Sequence, residues 1–209
     1  ITFYNLDGEE IEKQSRVIEW DAEAAEKAGY EHFMMKEIHE QPKAVEDTLN
    51  SVLQDGSLNL EEMGFTEEII NNISCIYIVA CGSAWHVGMT AQYVIEDMAG
   101  IPVRVEVASE FRYRKPLLDK NGLVIIISQS GETADSLAAL REAKEKGVRT
   151  LAVVNVVGSS IAREADHVFY TLAGPEISVA TTKAYSTQLM ASYILAIQFA
   201  FAKKHITEE

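Results

Sequence analysis

The chain has 209 residues, 47% apolar, 24% charged and 8% aromatic, with 12 Gly, 4 Pro and 2 Cys, a composition that excludes disorder, collagen-like repeats and disulfide scaffolds. Its length suits one good-sized domain plus an appendage, at the usual ~100 to 200 residues per domain. A net charge of −14 excludes a general nucleic-acid or anionic-membrane binder, which needs a basic surface.

The chain begins at Ile1 rather than Met and reads as a piece of something longer. Residues 1–6 are rich in β formers, Asp7-Gly8 is a strong hairpin turn, and residues 16–20 can pair back. From Asp21 to Gln54 the text becomes helical and acidic, with Ala22, Ala24 and Ala25 followed by Phe33, Met34 and Ile38 at helical spacing. Pro42 suits a first helical turn and should open a helix through Val45, Leu49, Val52 and Leu53. Residues 1–74 hold 18 Asp+Glu against 5 Lys+Arg, whereas residues 75–209 hold 14 against 13. The acid is therefore concentrated in a connector, and the remainder is electrically fit to accept an anion.

Beyond Cys75 the pattern changes to short continuous apolar runs, at 76–80, 103–107, 123–127, 151–154 and 167–170, separated by helical segments. This alternation predicts βαβ units around a five-stranded parallel sheet in an open α/β sandwich. Between the first two strands, Ala84, Val87, Gly88, Ala91, Val94, Ile95 and Met98 mark one buried helix face, and Gly100 ends that helix. Residues 134–146 predict another helix, with Glu142 and Lys146 as an i,i+4 pair and Gly147 after it. Residues 184–202 carry no formal charge. Their length would permit a membrane span, but Ser186, Thr187, Gln188, Ser192 and Gln198 favour a buried core or dimer-interface helix. Cys75 and Cys81 flank one strand, roughly 20 Å apart, too far to bridge. No signal peptide or Cys framework is recognisable, which suits a reducing cytoplasm.

In open parallel sheets ligands sit beyond the carboxyl ends of the strands, where strand order reverses. Three loops fit. Ser128-Gln129-Ser130-Gly131-Glu132-Thr133 runs from an aliphatic strand into a helix, and offers three hydroxyls, the free N–H groups of a helix start and a glycine turn. One N-cap uses one hydroxyl, so this density favours an anion cradle, although the Lys of a Walker motif is missing. At Cys81-Gly82-Ser83-Ala84, a tight turn capped by Ser83 and a ligand contact are both open. The dinucleotide fingerprint fails there, and Cys81 reads as inert rather than nucleophilic. Residues 174–183 read first as a capped helix start, with Thr181 or Thr182 as the cap, backbone groups near Val179 free, and Lys183 snorkelling into solvent. Glu132 would repel a phosphate and suits a helix N-terminal dipole better. His32, His39, His86, His167 and His205 show no metal-ligand spacing, so neither a metal nor a cofactor is expected.

The run 128–133, Cys81-Gly82-Ser83, Ala108-Ser109-Glu110-Phe111-Arg112-Tyr113-Arg114 and Val179-Ala180-Thr181-Thr182-Lys183-Ala184 together resemble the first sugar isomerase (SIS) domain of the glutamine–fructose-6-phosphate aminotransferase family. Tyr30-Glu31-His32-Phe33-Met34, with Lys36-Glu37-Ile38 and Glu40-Gln41-Pro42, resembles that family's connector between glutaminase and isomerase halves. The resemblance implies a three-layer αβα sandwich of flavodoxin-like type. It also implies a division into residues 1–20 as the end of a glutaminase domain, 21–74 as connector and 75–209 as SIS domain. It implies further that Ser128, Gln129, Ser130 and Thr133 hold the phosphate of fructose 6-phosphate, that Ser83 and Thr181 approach the sugar, and that the backbone at Val179 helps. The family often has a hydroxyl residue where this chain has Ala84. Catalytic residues are expected in the second SIS domain and tail of the parent chain, none of them here. Glucosamine 6-phosphate as product, a homodimer, and the parent's second SIS and glutaminase domains as partners are implied in the same way. A sugar-phosphate sensor would need a basic helix-turn-helix segment, and residues 1–74 are acidic instead. A self-standing isomerase would need a base, with His86 or Glu176 as candidates.

Overall fold

The computed structural model describes residues 2–12, 26–54, 56–58, 60 and 63–207. In chain order its elements are β1 (Phe3–Tyr4), β2 (Glu10–Ile11), α1 (Phe33–Asn50), β3 (Leu53–Gln54), β4 (Ser57–Leu58), α2 (Glu67–Asn71), β5 (Ile76–Ala80), α3 (Gly82–Ala99), β6 (Val103–Val107), α4 (Ala108–Phe111), β7 (Leu123–Ser128), α5 (Ala134–Glu145), β8 (Arg149–Val154), α6 (Ser160–Glu164), β9 (His167–Tyr170) and α7 (Thr182–Ala202).

The strands β5 to β9 form one parallel sheet in the order β6-β5-β7-β8-β9. Ile76, Ile78 and Ala80 of β5 face a core shared with α2, α3 and α7. Tyr77 and Val79 face the opposite core, shared with α4, α5 and α6. Burial on both faces is why the central strands β5, β7 and β8 read as nearly unbroken aliphatic runs, whereas the edge strands β6 and β9 alternate. The sheet is thus the centre of three layers, as the strand count and βαβ spacing predict. Two strands extend past their apolar runs, to Ser128 in β7 and back to Arg149 in β8. Parallel pairing continues there through backbone groups, whatever the side chain.

Gly88 lies where α3 crosses the sheet, and a Cβ there would come within 2.9 Å of Ile78 Cγ2 and 3.0 Å of Val105 Cγ1. Gly100 closes α3 in the left-handed region at φ 63, as its C-terminal position predicts. The pair Glu142–Lys146 forms at 3.1 Å. The apolar helix α7 is a core helix, packed on α3 and α1 and burying Ala191, Ile194, Leu195, Ala196 and Phe199. No helix among the described residues is long and apolar enough to cross a membrane.

Two expectations need correction. The hairpin at the start pairs Phe3 with Ile11 and Tyr4 with Glu10, so the returning strand comes soon after Asp7-Gly8; residues 16–20, like Ala22, Ala24 and Ala25, lie outside the described residues. Pro42 does not open a helix but sits inside α1. A proline there leaves the Ile38 carbonyl without its N–H. Gln41 supplies the missing donor, its Nε2 lying 3.0 Å from the Ile38 oxygen.

Candidate functional site

Strand order reverses between β5 and β7, because the chain steps outward to β6 and returns across β5 to β7. The carboxyl ends of these two strands flank a pocket of about 370 Å³ lined by Cys81, Gly82, Ser83, Ala84, Ile127, Ser128, Gln129, Ser130, Thr133, Thr181 and Gln188. The N-termini of α3 and α5 open onto it, and their unpaired N–H groups favour an anion. Three loops far apart in sequence therefore meet at one place.

Ser128 is the last residue of β7 and buried. Its Oγ accepts the Gly131 N–H at 3.1 Å and lies 3.2 Å from Thr133 Oγ1. Ser130 Oγ accepts the Glu132 N–H at 3.2 Å. Thr133 is the N-cap of α5, yet its side chain makes no capping bond. The loop is shaped by its own hydroxyls while the start of the helix keeps its donors for a ligand. From outside, Asn155 N–H donates to the Gln129 carbonyl at 3.1 Å, and the Ile161 N–H to the Gly131 carbonyl at 3.0 Å.

In the second loop, Cys81 is the N-cap and makes no side-chain cap bond. Ser83 is thus the second residue of α3 and not its cap, so that alternative is corrected, and the residue borders the pocket. In the third loop, Thr181 is the N-cap of α7 at φ 61, again without a side-chain cap bond. Val179 is 87% exposed at φ 59 and does not line the pocket. Six of the seven expected ligand residues are thereby gathered around one cavity, and Val179, two residues before Thr181, is not among its lining residues.

The reading of Lys183 as a solvated lysine is overturned. The residue is 3% exposed, and its Nζ lies 2.8 Å from Glu40 Oε2 on α1. Lys36, also buried, lies 3.3 Å from Glu40 Oε1. An ammonium this deep is stable only with a partner, and that partner lies 143 positions upstream. We expect Lys183→Ala to lower stability by about 1 to 2 kcal/mol in urea denaturation, because it removes a buried side chain and one of the two cations on Glu40, which keeps Lys36 and is itself partly exposed. An unchanged midpoint would return Lys183 to a solvated role.

Glu132 points away from the cradle. Its Oε1 accepts the Ser160 N–H at 2.7 Å, at the start of α6, and the Ser160 hydroxyl and N–H hold its carboxyl below the usual range. It does serve a helix N-terminus, but that of α6 rather than α5. Glu176 is half-buried in the third loop. Burial, and then the charge of Glu37, raise its pKa against the pull of Lys183 and the Thr181 N–H. Neither His86, which is exposed and meets Trp85 edge-on at 4.9 Å, nor Glu176 lines the pocket.

Two residues at the site escape sequence reading. Gln188 of α7 borders the pocket although fully buried, and neither Oε1 nor Nε2 has a hydrogen-bond partner among the described residues. Asn155, after β8, links two loops: beside its bond to Gln129, its Oδ1 accepts the Ala173 N–H at 2.8 Å and its Nδ2 donates to the Gly174 carbonyl at 2.7 Å. An Asn directly after a strand was the available signal, since its side chain readily bonds nearby backbone.

Residues 69–198 match the family model of the SIS domain. The chain is 60% identical over 210 residues to glutamine–fructose-6-phosphate aminotransferase [isomerizing] of Clostridium acetobutylicum, covering 100% of this chain and 34% of that protein. It is 47% identical to the protein of the same name from Methanosarcina mazei, again over 100% of this chain and 34% of the relative. Among solved structures, the C-terminal domain of glucosamine-fructose-6-phosphate aminotransferase from Francisella tularensis superposes with a TM-score of 0.84 at 45% identity, covering 88% of this chain and 52% of that one. The chain spans about a third of the length of the curated relatives it matches. A hydroxyl-lined pocket at the switch point of a 2-1-3-4-5 parallel sheet, inside a segment that fits the SIS model, leaves one conclusion: this chain belongs to the SIS domain family.

Proposed function

We propose that this chain is the phosphate-anchoring SIS part of a glutamine–fructose-6-phosphate aminotransferase, and that its pocket takes fructose 6-phosphate phosphate-first. In this reading Ser128, Gln129, Ser130 and Thr133, with the α5 N-terminus, hold the phosphate. Ser83 and Thr181 approach the sugar, with the backbone around Val179 beside them. The observation that carries it is the convergence of three loops and two helix N-termini on one cavity lined by hydroxyls, in a chain 60% identical to an enzyme of that name.

The parent reaction would convert fructose 6-phosphate to glucosamine 6-phosphate with glutamine as nitrogen donor. Residues 1–20 would end its glutaminase domain, 21–74 would be the connector, and a second SIS domain would complete the isomerase half. In this reading the site binds a sugar phosphate through hydroxyls, amides and helix N-termini. The exposed apolar stripe Tyr193, Ile197 and Phe201 on α7, with Tyr93 on α3, supports pairing with another SIS unit or a second copy in a homodimer. The free thiols of Cys75 and Cys81 suit a reducing cytoplasm.

The test is calorimetry with fructose 6-phosphate on Ser130→Ala. A charge-assisted hydrogen bond to phosphate contributes about 1.5 to 3 kcal/mol, so affinity should fall roughly tenfold or more. The exposed Lys120→Ala, outside the pocket, should leave it unchanged. Equal affinity in the Ser130 variant would remove this loop from the site.

A further inference from the structure

The loop between β9 and α7 holds two non-glycine residues in the left-handed region, Val179 at φ 59 and Thr181 at φ 61. Such residues persist only where their surroundings impose the conformation, at a cost on the order of 1 kcal/mol each. Ile177 and Ser178 find their hydrogen bonds on a single carboxylate about 140 positions upstream in the chain. Glu37 of α1, 2% exposed, accepts the Ile177 N–H at 2.7 Å and the Ser178 N–H at 3.0 Å, and its second oxygen accepts the Ser178 hydroxyl.

Neighbours of Glu37 on α1 grip the first turns of α7, just beyond the loop. Glu40 holds Lys183, and Gln41 Oε1 accepts the Ser186 hydroxyl at 2.6 Å. Further along α1, the Thr48 hydroxyl lies 2.6 Å from the Thr171 carbonyl, where the loop begins. Thr181, the residue this loop presents to the pocket, thus stands between points fixed from α1. The cradle at 128–133 is held differently, by its own hydroxyls, Asn155, Ile161 and the Glu132–Ser160 contact.

We propose that Glu37 is a positioning residue for the sugar side of the pocket: α1 sets the conformation of the loop at 175–181, and through it the place of Thr181, without touching the ligand. This rests on the reading of the pocket as a sugar-phosphate site. The carboxylate suits the task because three donors converge on two acceptor oxygens. A glutamine would keep one oxygen for the two N–H groups but without the charge that strengthens those bonds, and its NH₂ would have to donate to the Ser178 hydroxyl, reversing that bond. Burial alone would raise the pKa of Glu37, but the Ser178 hydroxyl and the two N–H groups outweigh it and hold the carboxyl ionised below its ordinary range.

The experiment uses the full chain and two variants, Glu37→Gln and Ser178→Ala, titrated with fructose 6-phosphate and separately with inorganic phosphate, alongside amide exchange and urea unfolding. For Glu37→Gln we expect fructose 6-phosphate affinity about tenfold lower, inorganic phosphate affinity within about twofold, and Ile177 and Ser178 amides exchanging at least about tenfold faster. Ser178→Ala, which removes one donor and leaves α1 intact, should move fructose 6-phosphate alone, by about threefold. Fructose 6-phosphate and phosphate weakened together, or faster exchange with unchanged sugar-phosphate affinity, would overturn the proposal while leaving the site standing. If Glu37→Gln does not fold, an unchanged fructose 6-phosphate affinity in Ser178→Ala overturns it. A wild-type chain that binds neither ligand would instead remove the site itself, and this inference with it.

Discussion

Gly131→Ala should abolish measurable fructose 6-phosphate binding and lower stability by about 2 to 4 kcal/mol, the largest single-residue effect expected at this site. Gly131 has φ 65, where an L side chain costs about 1 kcal/mol. Its surroundings add more. A Cβ at this position would overlap Ser159 Oγ and come within 2.6 Å of Ser159 Cβ. Ser159 cannot easily retreat, because it is buried and leads into α6, whose Ile161 is packed in the second core. Forced overpacking of this kind costs about 1 to 3 kcal/mol. The loop must move instead, and its bonds to Ser128 and Ile161 run through the very residue that moves. Calorimetry and urea denaturation measure both effects. The double variant Gly131→Ala with Ser159→Gly removes the overlap but keeps the unfavourable φ, so it should regain most of the stability while binding stays weak. Retained affinity in the single variant would show that the cradle is not the anion site. No recovery in the double variant would show that the Ser159 contact is not the cause.

The sheet and its flanking helices were legible because burial on both faces makes each central strand a continuous aliphatic word, and the helices between them repeat at intervals of 3 and 4. Gly100, Gly147 and the Glu142–Lys146 pair are local signals, and local signals survive in sequence. The misreadings have a common cause, which is compensation from a distance. Lys183 reads as solvated because nothing near it in sequence is acidic and buried; its partner is on α1. Glu37 reads as one more acid in an acidic connector because its three donors lie about 140 positions downstream. Pro42 reads as a helix start because the rule concerns backbone donors, and the side chain of Gln41 replaces the missing one. At the site, the cradle was visible because all its hydroxyls lie within six consecutive residues. That Ser83 and Thr181 meet it is a consequence of strand order, which the runs alone do not specify. Gln188, one of the polar residues that argue against a membrane span, carries no local mark of bordering a pocket.

The chain by itself should bind fructose 6-phosphate without converting it. Aldose-ketose isomerisation needs a base within about 3 Å of a carbon-bound proton, its pKa near the working pH, and an acid to open the ring. The pocket is lined by hydroxyls, amides and apolar groups, and Cys81 is the one ionisable side chain among the described residues that line it. These groups orient a substrate by its phosphate, and orientation without proton transfer forgoes the roughly 10²- to 10⁴-fold that general acid-base catalysis contributes. The acids nearby are otherwise engaged: Glu132 serves the start of α6, and Glu37 holds the loop at Ile177 and Ser178. Glu176 is the closest to a free base, since its buried Oε1 has no hydrogen-bond partner among the described residues. Its raised pKa favours the protonated form, present below the folded-state value and lost as pH rises through it. If Glu176 were a base, turnover would therefore rise with pH above the ordinary carboxylate range. The measurement is NMR detection of exchange between fructose 6-phosphate and glucose 6-phosphate, and of glucosamine 6-phosphate when ammonia is added. No product above the uncatalysed background is expected, at a protein concentration where calorimetry shows the site filled. Turnover that persists through rigorous purification and disappears in Glu176→Gln or His86→Ala would make this chain a self-standing isomerase, with its proton-transfer chemistry on the third loop or on α3 rather than in a partner domain.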